Sequence, residues 1–133
     1  MSTDDGIQGL VRLPSRHSVS ATLDRLEASL KQRNILVFAR IDFSGDAARA
    51  GLTMRPEQML IFGNPKAGTP LMLQVPAAGL DLPLKALAWE DAGAQVWIAY
   101  NDPQYIVRRH GIEPGLAANL AAVVPIIEAA AGA

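Results

Sequence analysis

Apolar residues recur at Val19, Leu23, Leu26 and Leu30, at spacings of four, three and four. That spacing is one face of an amphipathic helix. Asp24, Lys31 and Arg33 fall off the stripe, Ser18 or Ser20 offers an N-cap, and Asn34 suits a left-handed residue at the end. Leu116, Leu120, Val123 and Ile127 repeat the same spacing near the C-terminus. Pro125 is expected to kink that second helix, because its ring conflicts with the carbonyl of Ala121. Strand patterns lie between the two. Residues 7–13 predict an opening strand that ends at Pro14. ILVFARIDF (35–43) and EQMLIF (57–62) are β-branched or aromatic runs too short for typical helices. Residues 84–90 and 95–100 predict a hairpin around residues 91–94, with Gly93 free to take positive φ. Residues 44–52, bracketed by Gly45 and Gly51, predict a helical turn or two. Asp102, Pro103 and Gly111 mark the cap, first residue and stop of another helix. Pro65, Pro70, Pro76 and Pro83 predict a loop over 64–83, with at most one short helix around 71–74.

This order predicts an α+β domain with a mainly antiparallel sheet of about five strands, β-α-β-β-β-β-α, helices packed on one face, and an extra C-terminal helix. The strands do not alternate apolar with polar as a half-solvated sheet would. Ile35, Val37, Ala39 and Ile41 share one face, while Leu36 and Phe38 precede Arg40 and Asp42 on the other. Met59 and Ile61 stand against Leu60 and Phe62. The hairpin sets Leu84, Ala86 and Ala88 against Leu87 and Trp89, and Val96, Ile98 and Tyr100 against Trp97 and Ala99. Two long helices cover one face, so something else must cover the second. The choices are the Pro-rich segment folded back, a bound ligand, or a second copy of the chain. A homodimer with Trp89 or Trp97 near its contact is the expectation, since symmetric dimers are the commonest soluble oligomers.

Composition narrows the function. The chain has 133 residues, 50% hydrophobic and 19% charged, which suits one domain over 1–133 that buries roughly two-thirds of its unfolded surface. Twelve Lys and Arg against thirteen Asp and Glu, a formal charge of −1, make no electrostatic case for nucleic acid or an anionic membrane. The absence of cysteine removes thiol nucleophiles, Fe–S clusters and Cys-based zinc sites. Two histidines are too few for a His-rich site, so neither metal nor cofactor is expected. MSTDDGIQGLVRL lacks the basic and apolar regions of a signal peptide. The apolar run from Leu116 is interrupted by Asn119, Pro125 and Glu128 and falls short of a membrane span of about 20 residues. The simplest expectation is a cytoplasmic protein with a core-packing C-terminal helix.

Residues 62–70 carry the pieces of a phosphate loop: Gly63, four residues, Gly68, then Thr69. The lysine of a true P-loop is missing between Gly68 and Thr69, and Pro65 and Pro70 delete backbone donors, so this is not that motif. Asn64 and Thr69 each precede a proline and could open a helix whose free N–H groups face an anion, with Lys66 as a mobile charge. On that reading Lys66→Ala weakens ligand binding with little effect on stability. A rigid Pro/Gly connection is the plainer alternative. Tyr100, Asn101 and Asp102, with His110, form a second polar group. Asp102 reads first as a helix cap and His110 as a cation at a helix end. Glu90 and Asp91 would point to opposite faces of a strand, poor geometry for an acid–base pair. Arg12, Arg16 and His17 read as a solvated basic edge.

FGNPKAGTPLM (62–72), GLDLPLKALAWED (79–91) and VWIAYNDPQYIVRRHG (96–111) resemble the bacterial domain-of-unknown-function 302 family over about residues 18–112. The resemblance implies a TATA-binding-protein-like half-saddle that pairs as a dimer, with no established activity, substrate or cofactor. The helical extension at about 113–131 lies outside it. Members often read Asp-His where this chain has Asp42-Phe43, so a His-centred metal or haem role would lack a ligand here. Fold alone does not import DNA binding. Three functions stay open. One is a dimeric module binding a small ligand, an anion among the choices, through Asn64, Lys66, Gly68, Thr69, Tyr100, Asn101, Asp102 or His110. The second is a structural or partner-binding dimer. The third, an enzyme, would use His110 or Lys66 with Asp102 or Tyr100, and catalytic residues are not otherwise identifiable.

Overall fold

The computed structural model describes residues 6–132. Five strands form one antiparallel sheet: β1 Leu10–Ser15, β2 Leu36–Asp42, β3 Glu57–Gly63, β4 Leu84–Glu90 and β5 Val96–Asn101. Their spatial order is β1-β5-β4-β3-β2. The α+β expectation and the strand count hold. Pro14 does not end the first strand but lies inside it, paired with Trp97. It is tolerated because β1 is an edge strand, where a missing N–H costs no ladder bond.

Helix α1, Val19–Gln32, is capped by the Ser18 hydroxyl, which accepts from Ala21 N–H. Asn34 takes the left-handed turn that follows, at φ 59°. Leu23, Leu26 and Leu30 are fully buried against Leu60, Phe62, Ala86, Ala88 and Ile98. Each leucine of that kind contributes roughly 1.5–3 kcal/mol through burial. Arg40, on the same sheet face, reaches the polar flank of α1. Its Nη1 lies 2.6 Å from Asp24 Oδ1 and its Nη2 donates to the Ser20 carbonyl at 3.0 Å.

The two faces of β2 do not run as simple alternation predicts. A register shift between Val37 and Ala39 places Val37 opposite Phe62 on the covered face, while Ala39 and Ile41 pair with Ile61 and Met59 on the other. A bulge adds one residue and so reverses the faces on either side of it. Asp42 then caps helix α2, Phe43–Arg49, so Phe43 belongs to a helix and not to the strand.

The segment expected to be a Pro-rich loop is largely helical. Helix α3 spans Pro65–Gln74, with Asn64 as N-cap and Pro70 inside, and a 3₁₀ turn follows at Pro76–Leu80. Pro65 occupies the first helical position, where no N–H partner is needed. In the β4–β5 turn Gly93 does not take the positive φ; Ala94 does, at 66°. Asp91 Oδ1 accepts from the N–H groups of Gly93 and Gln95 at 2.9 and 3.0 Å, and that local ring holds the turn.

Helix α4, Pro103–His110, is capped by Asp102 and stopped by Gly111 at φ 63°. Beyond it the run Pro114–Ala131 is long and apolar enough to cross a membrane by length and composition. Here it is divided into a 3₁₀ turn at Pro114–Leu116, α5 Ala117–Ala121 and α6 Val124–Ala131. Pro125 stands at the start of α6, so the expected kink is a full break. Ile126, Ile127, Ala130 and Ala131 join the α1–sheet core, and Arg25 donates to the Ala129 and Ala130 carbonyls at the end of α6. Leu71, Ala78, Ile106, Val107, Ile112, Ala117 and Leu120 form a second buried cluster that joins α3, α4 and α5.

Candidate functional site

The helices α1 and α6 pack on one sheet face. On the other, register places Met59, Leu87 and Ala99 in one row and Glu57, Trp89, Trp97 and Pro14 in the next. Met59, Ile61, Leu87, Trp89 and Trp97 are all only partly buried. Arg12 lays its guanidinium 4.0 Å from the Trp97 ring centre, a cation–π arrangement that covers part of the indole. Trp97 Nε1 donates to Asp91 Oδ2 at 2.9 Å. That bond, followed by the one from Gln95 N–H, holds the Asp91 carboxyl below its ordinary range. Trp97 and Asp91 thus satisfy each other at one end of this face while its centre stays apolar.

A cleft of about 270 Å³ opens at the end of the sheet where β3 runs into α3. One wall is the first two turns of α3, with Asn64, Ala67, Gly68, Thr69 and Met72. The opposite wall is Asn119, Leu120, Ala122 and Val123, and Ile35, Phe38, Gly63 and residues 82–84 complete it. Asn64 Oδ1 accepts from Lys66 N–H at 3.0 Å, so the cap that starts α3 also shapes the rim. Asn119 Nδ2 donates to the Ala67 carbonyl at 3.2 Å and ties the two walls together.

The eight residues singled out by sequence are not one site. Asn64, Gly68 and Thr69 line this cleft; Lys66, one turn position away, is exposed and outside the lining. Tyr100 and Asn101 border a separate crevice of about 10 Å³, too small for a ligand. Asp102 caps α4 by accepting from Gln104 N–H at 3.0 Å. His110 Nε2 lies 2.6 Å from Asp81 Oδ2, and Arg109 reaches both oxygens of the same carboxylate at 2.9 and 2.8 Å. Burial by itself would raise the Asp81 carboxyl; the bonds from His110 and Arg109 outweigh it and leave it lowered. Tyr100 is raised, first by burial and then by Glu128 and Asp102.

Sequence reasoning missed Phe38, Leu82, Ala122 and Val123 as cleft residues, since they come to residues 64–72 from β2, from the connection before β4 and from the turn between α5 and α6. No local pattern marks them. All four are apolar, which does not distinguish a cleft wall from core.

The profile of the family described as "Domain of unknown function DUF302" matches residues 11–130, so the match runs through α6. A crystal structure titled as an uncharacterized conserved DUF302 protein from Bacillus stearothermophilus superimposes with a TM-score of 0.75. It is 22% identical, and the alignment covers 93% of this chain and 96% of that one; the likeness is one of fold. Proteins named fluoride-specific ion channel FluC 1 from Brucella suis and Brucella abortus are each 45% identical over 113 residues, 85% of this chain. The match takes up 44% and 41% of their lengths, so the chain spans less than half of those curated relatives.

Proposed function

The chain belongs to the DUF302 family, and from that premise we propose that it is a homodimeric binding module for a small molecule held in the cleft between α3 and α5. The cleft carries this reading. It is a concave, preformed space with a largely apolar lining and three polar side chains on its walls, the make-up of a ligand site. Binding without bond-breaking is favoured because the candidate acid–base residue His110 faces Asp81, away from the cleft lining. A thermal-shift screen against metabolite and nucleotide libraries tests the proposal. A ligand at 100 times its Kd should stabilise the protein by about 2.7 kcal/mol. A hit whose effect survives Ala122→Leu would place its site elsewhere and defeat the assignment.

The dimer half of the proposal rests on the second sheet face, where two tryptophans and three aliphatic side chains remain part-exposed side by side. A second copy is the simplest cover for such a face. Light scattering at micromolar concentration should give twice the chain mass, and a clean monomer would defeat it.

The curated relatives favour a second reading, in which the domain serves a fluoride channel system as an accessory binding unit. The 45% identity supports it, and the remaining length of those proteins lies outside the match. A fluoride-tolerance assay on cells lacking this chain tests it: sensitivity reversed by restoring the chain supports the reading, and unchanged tolerance defeats it.

A further inference from the structure

Gly68 occupies the fourth position of α3, where glycine is a poorer helix former than every residue but proline. Neither backbone nor packing requires it. Its φ is not among the positive ones. A Cβ built there would meet Leu82 Cδ1 at 3.7 Å and Met72 Cε at 4.0 Å, ordinary contacts. Gly63, at the end of β3, is similar: its Cβ would meet Phe38 Cε2 and Pro83 Cβ, each at 3.5 Å. Both residues line the cleft. What their missing methyl groups provide is room.

The walls also say what the room suits. Asn64 Oδ1 is taken by Lys66 N–H and Asn119 Nδ2 by the Ala67 carbonyl. A ligand is left the Asn64 amide, the Thr69 hydroxyl and the Asn119 carbonyl oxygen. None of the lining residues is charged, and Lys66 stands outside. The rest of the lining is carbon, and Phe38 (54% exposed) and Met72 (36%) carry it outward onto the surface. An anion placed here would lose its hydration with no cation to replace it, whereas an apolar body would release ordered water.

We propose that the cleft takes a small apolar ligand with one uncharged hydrogen-bonding end, a medium-length acyl or alkyl compound in chemical class. At about 270 Å³ and roughly 30 Å³ per atom as in liquid water, it holds on the order of ten non-hydrogen atoms. The apolar tail lies along Phe38, Leu82 and Val123, and the polar end meets Thr69 and Asn119. The flexible thioether of Met72 adapts the rim to the occupant. The inference rests on the cleft being the ligand site and adds the class of ligand.

Methyl NMR of the full chain, read at Ala67, Met72, Leu82 and Val123, tests it with three probes: 1-octanol, octanoate and inorganic phosphate. Octanol should shift these methyls saturably and phosphate should not. Gly68→Leu, which restores a good helix former, should weaken octanol by about tenfold or more. Ala122→Leu, from the opposite wall, should do the same and serves if the first variant folds poorly. Octanoate should bind about tenfold or more weakly than octanol, because the lining offers its carboxylate no cation. Octanoate binding as tightly as octanol would overturn the uncharged end. Saturable shifts with phosphate and none with octanol would keep the cleft as a ligand site and overturn the class. Shifts confined to methyls outside the cleft, or none with any probe, would overturn both.

Discussion

His110 Nε2 stands 2.6 Å from Asp81 Oδ2, joining the last residue of α4 to the residue that ends the 3₁₀ turn after α3. The histidine side chain is 8% exposed and the aspartate 16%. A residue that reads from sequence as a cation at a helix end is thus a tie between two elements far apart in the chain. The same carboxylate accepts from Arg109, and α4 and α3 both contribute to the second buried cluster.

Asp81→Asn should cost about 1–3 kcal/mol, because it weakens charge-assisted hydrogen bonds and leaves the histidine side short of its acceptor. The Asp81 carboxyl lies below its ordinary value in the folded chain. Its contribution is therefore fully present above the unfolded carboxylate pKa, about 3.9, and is lost as pH falls through the lower folded value. Urea unfolding of both forms at neutral pH and near pH 3 checks this: the gap between them should shrink in acid. A constant gap would mean the carboxylate charge is not what stabilises the tie.

Asn64→Ala should lose about 1 kcal/mol through the cap on Lys66 N–H. Lys66→Ala should change stability by less than about 0.5 kcal/mol, as an exposed lysine does. It should also leave affinity for any cleft ligand unaltered, which reverses the expectation from the bare loop sequence. Thermal melts and the methyl titrations check both. A large affinity loss in Lys66→Ala would return the anion reading to the site.

Leu87→Glu places a charge at the centre of the second sheet face, paired across the ladder with Ala99 and Met59. Leu87 is only partly buried in the single chain, so the fold should persist while a dimer through this face dissociates. Sedimentation should show the mass halve with the far-ultraviolet dichroism unchanged. A dimer that survives would be built on some other surface.

Gly9→Ala should be among the most damaging single methyl additions. Gly9 has φ +79°, and the ring of Tyr105 sits where its Cβ would go. Its carbonyl also accepts from Asp102 N–H at 2.8 Å, which anchors the start of α4 to the edge of the sheet. A loss of more than about 2 kcal/mol is expected from the left-handed backbone and the collision together, measured by denaturant midpoint. Gly115→Ala, where nothing lies within 4 Å, is the matched control and should be near neutral.

Local signals carried much of this fold. One of the two serines offered as a cap, the leucine stripe and Asn34 marked α1 to within about two residues at either end. Asp102, Pro103 and Gly111 did the same for α4, because caps and periodicity act within a few residues of chain. The hairpin strands were legible for the same reason, and so was the class of sheet. Four prolines over 64–83 argued against helix, yet α3 forms. Pro65 sits where a helix accepts proline, and burial of Leu71 and packing on α5 outweigh the cost of Pro70.

What residues 64–69 contribute to a site was half visible. Their small residues and helix-opening cap are properties of the chain itself, and they do border the cleft. That the cleft is apolar, that it excludes Lys66, and that Phe38, Leu82 and Val123 form its remaining walls depended on contacts between residues dozens of positions apart. The bulge at Val37/Ala39 belongs with these, since one extra residue in a strand changes every face after it without altering composition. The sequence by itself determined α1, α4, the hairpin strands and a doubly apolar sheet, because those follow from neighbours three or four apart and from alternation. The tertiary structure alone decided which face α1 covers, that His110 meets Asp81, and that two glycines leave a cleft, because each depends on how separate elements pack.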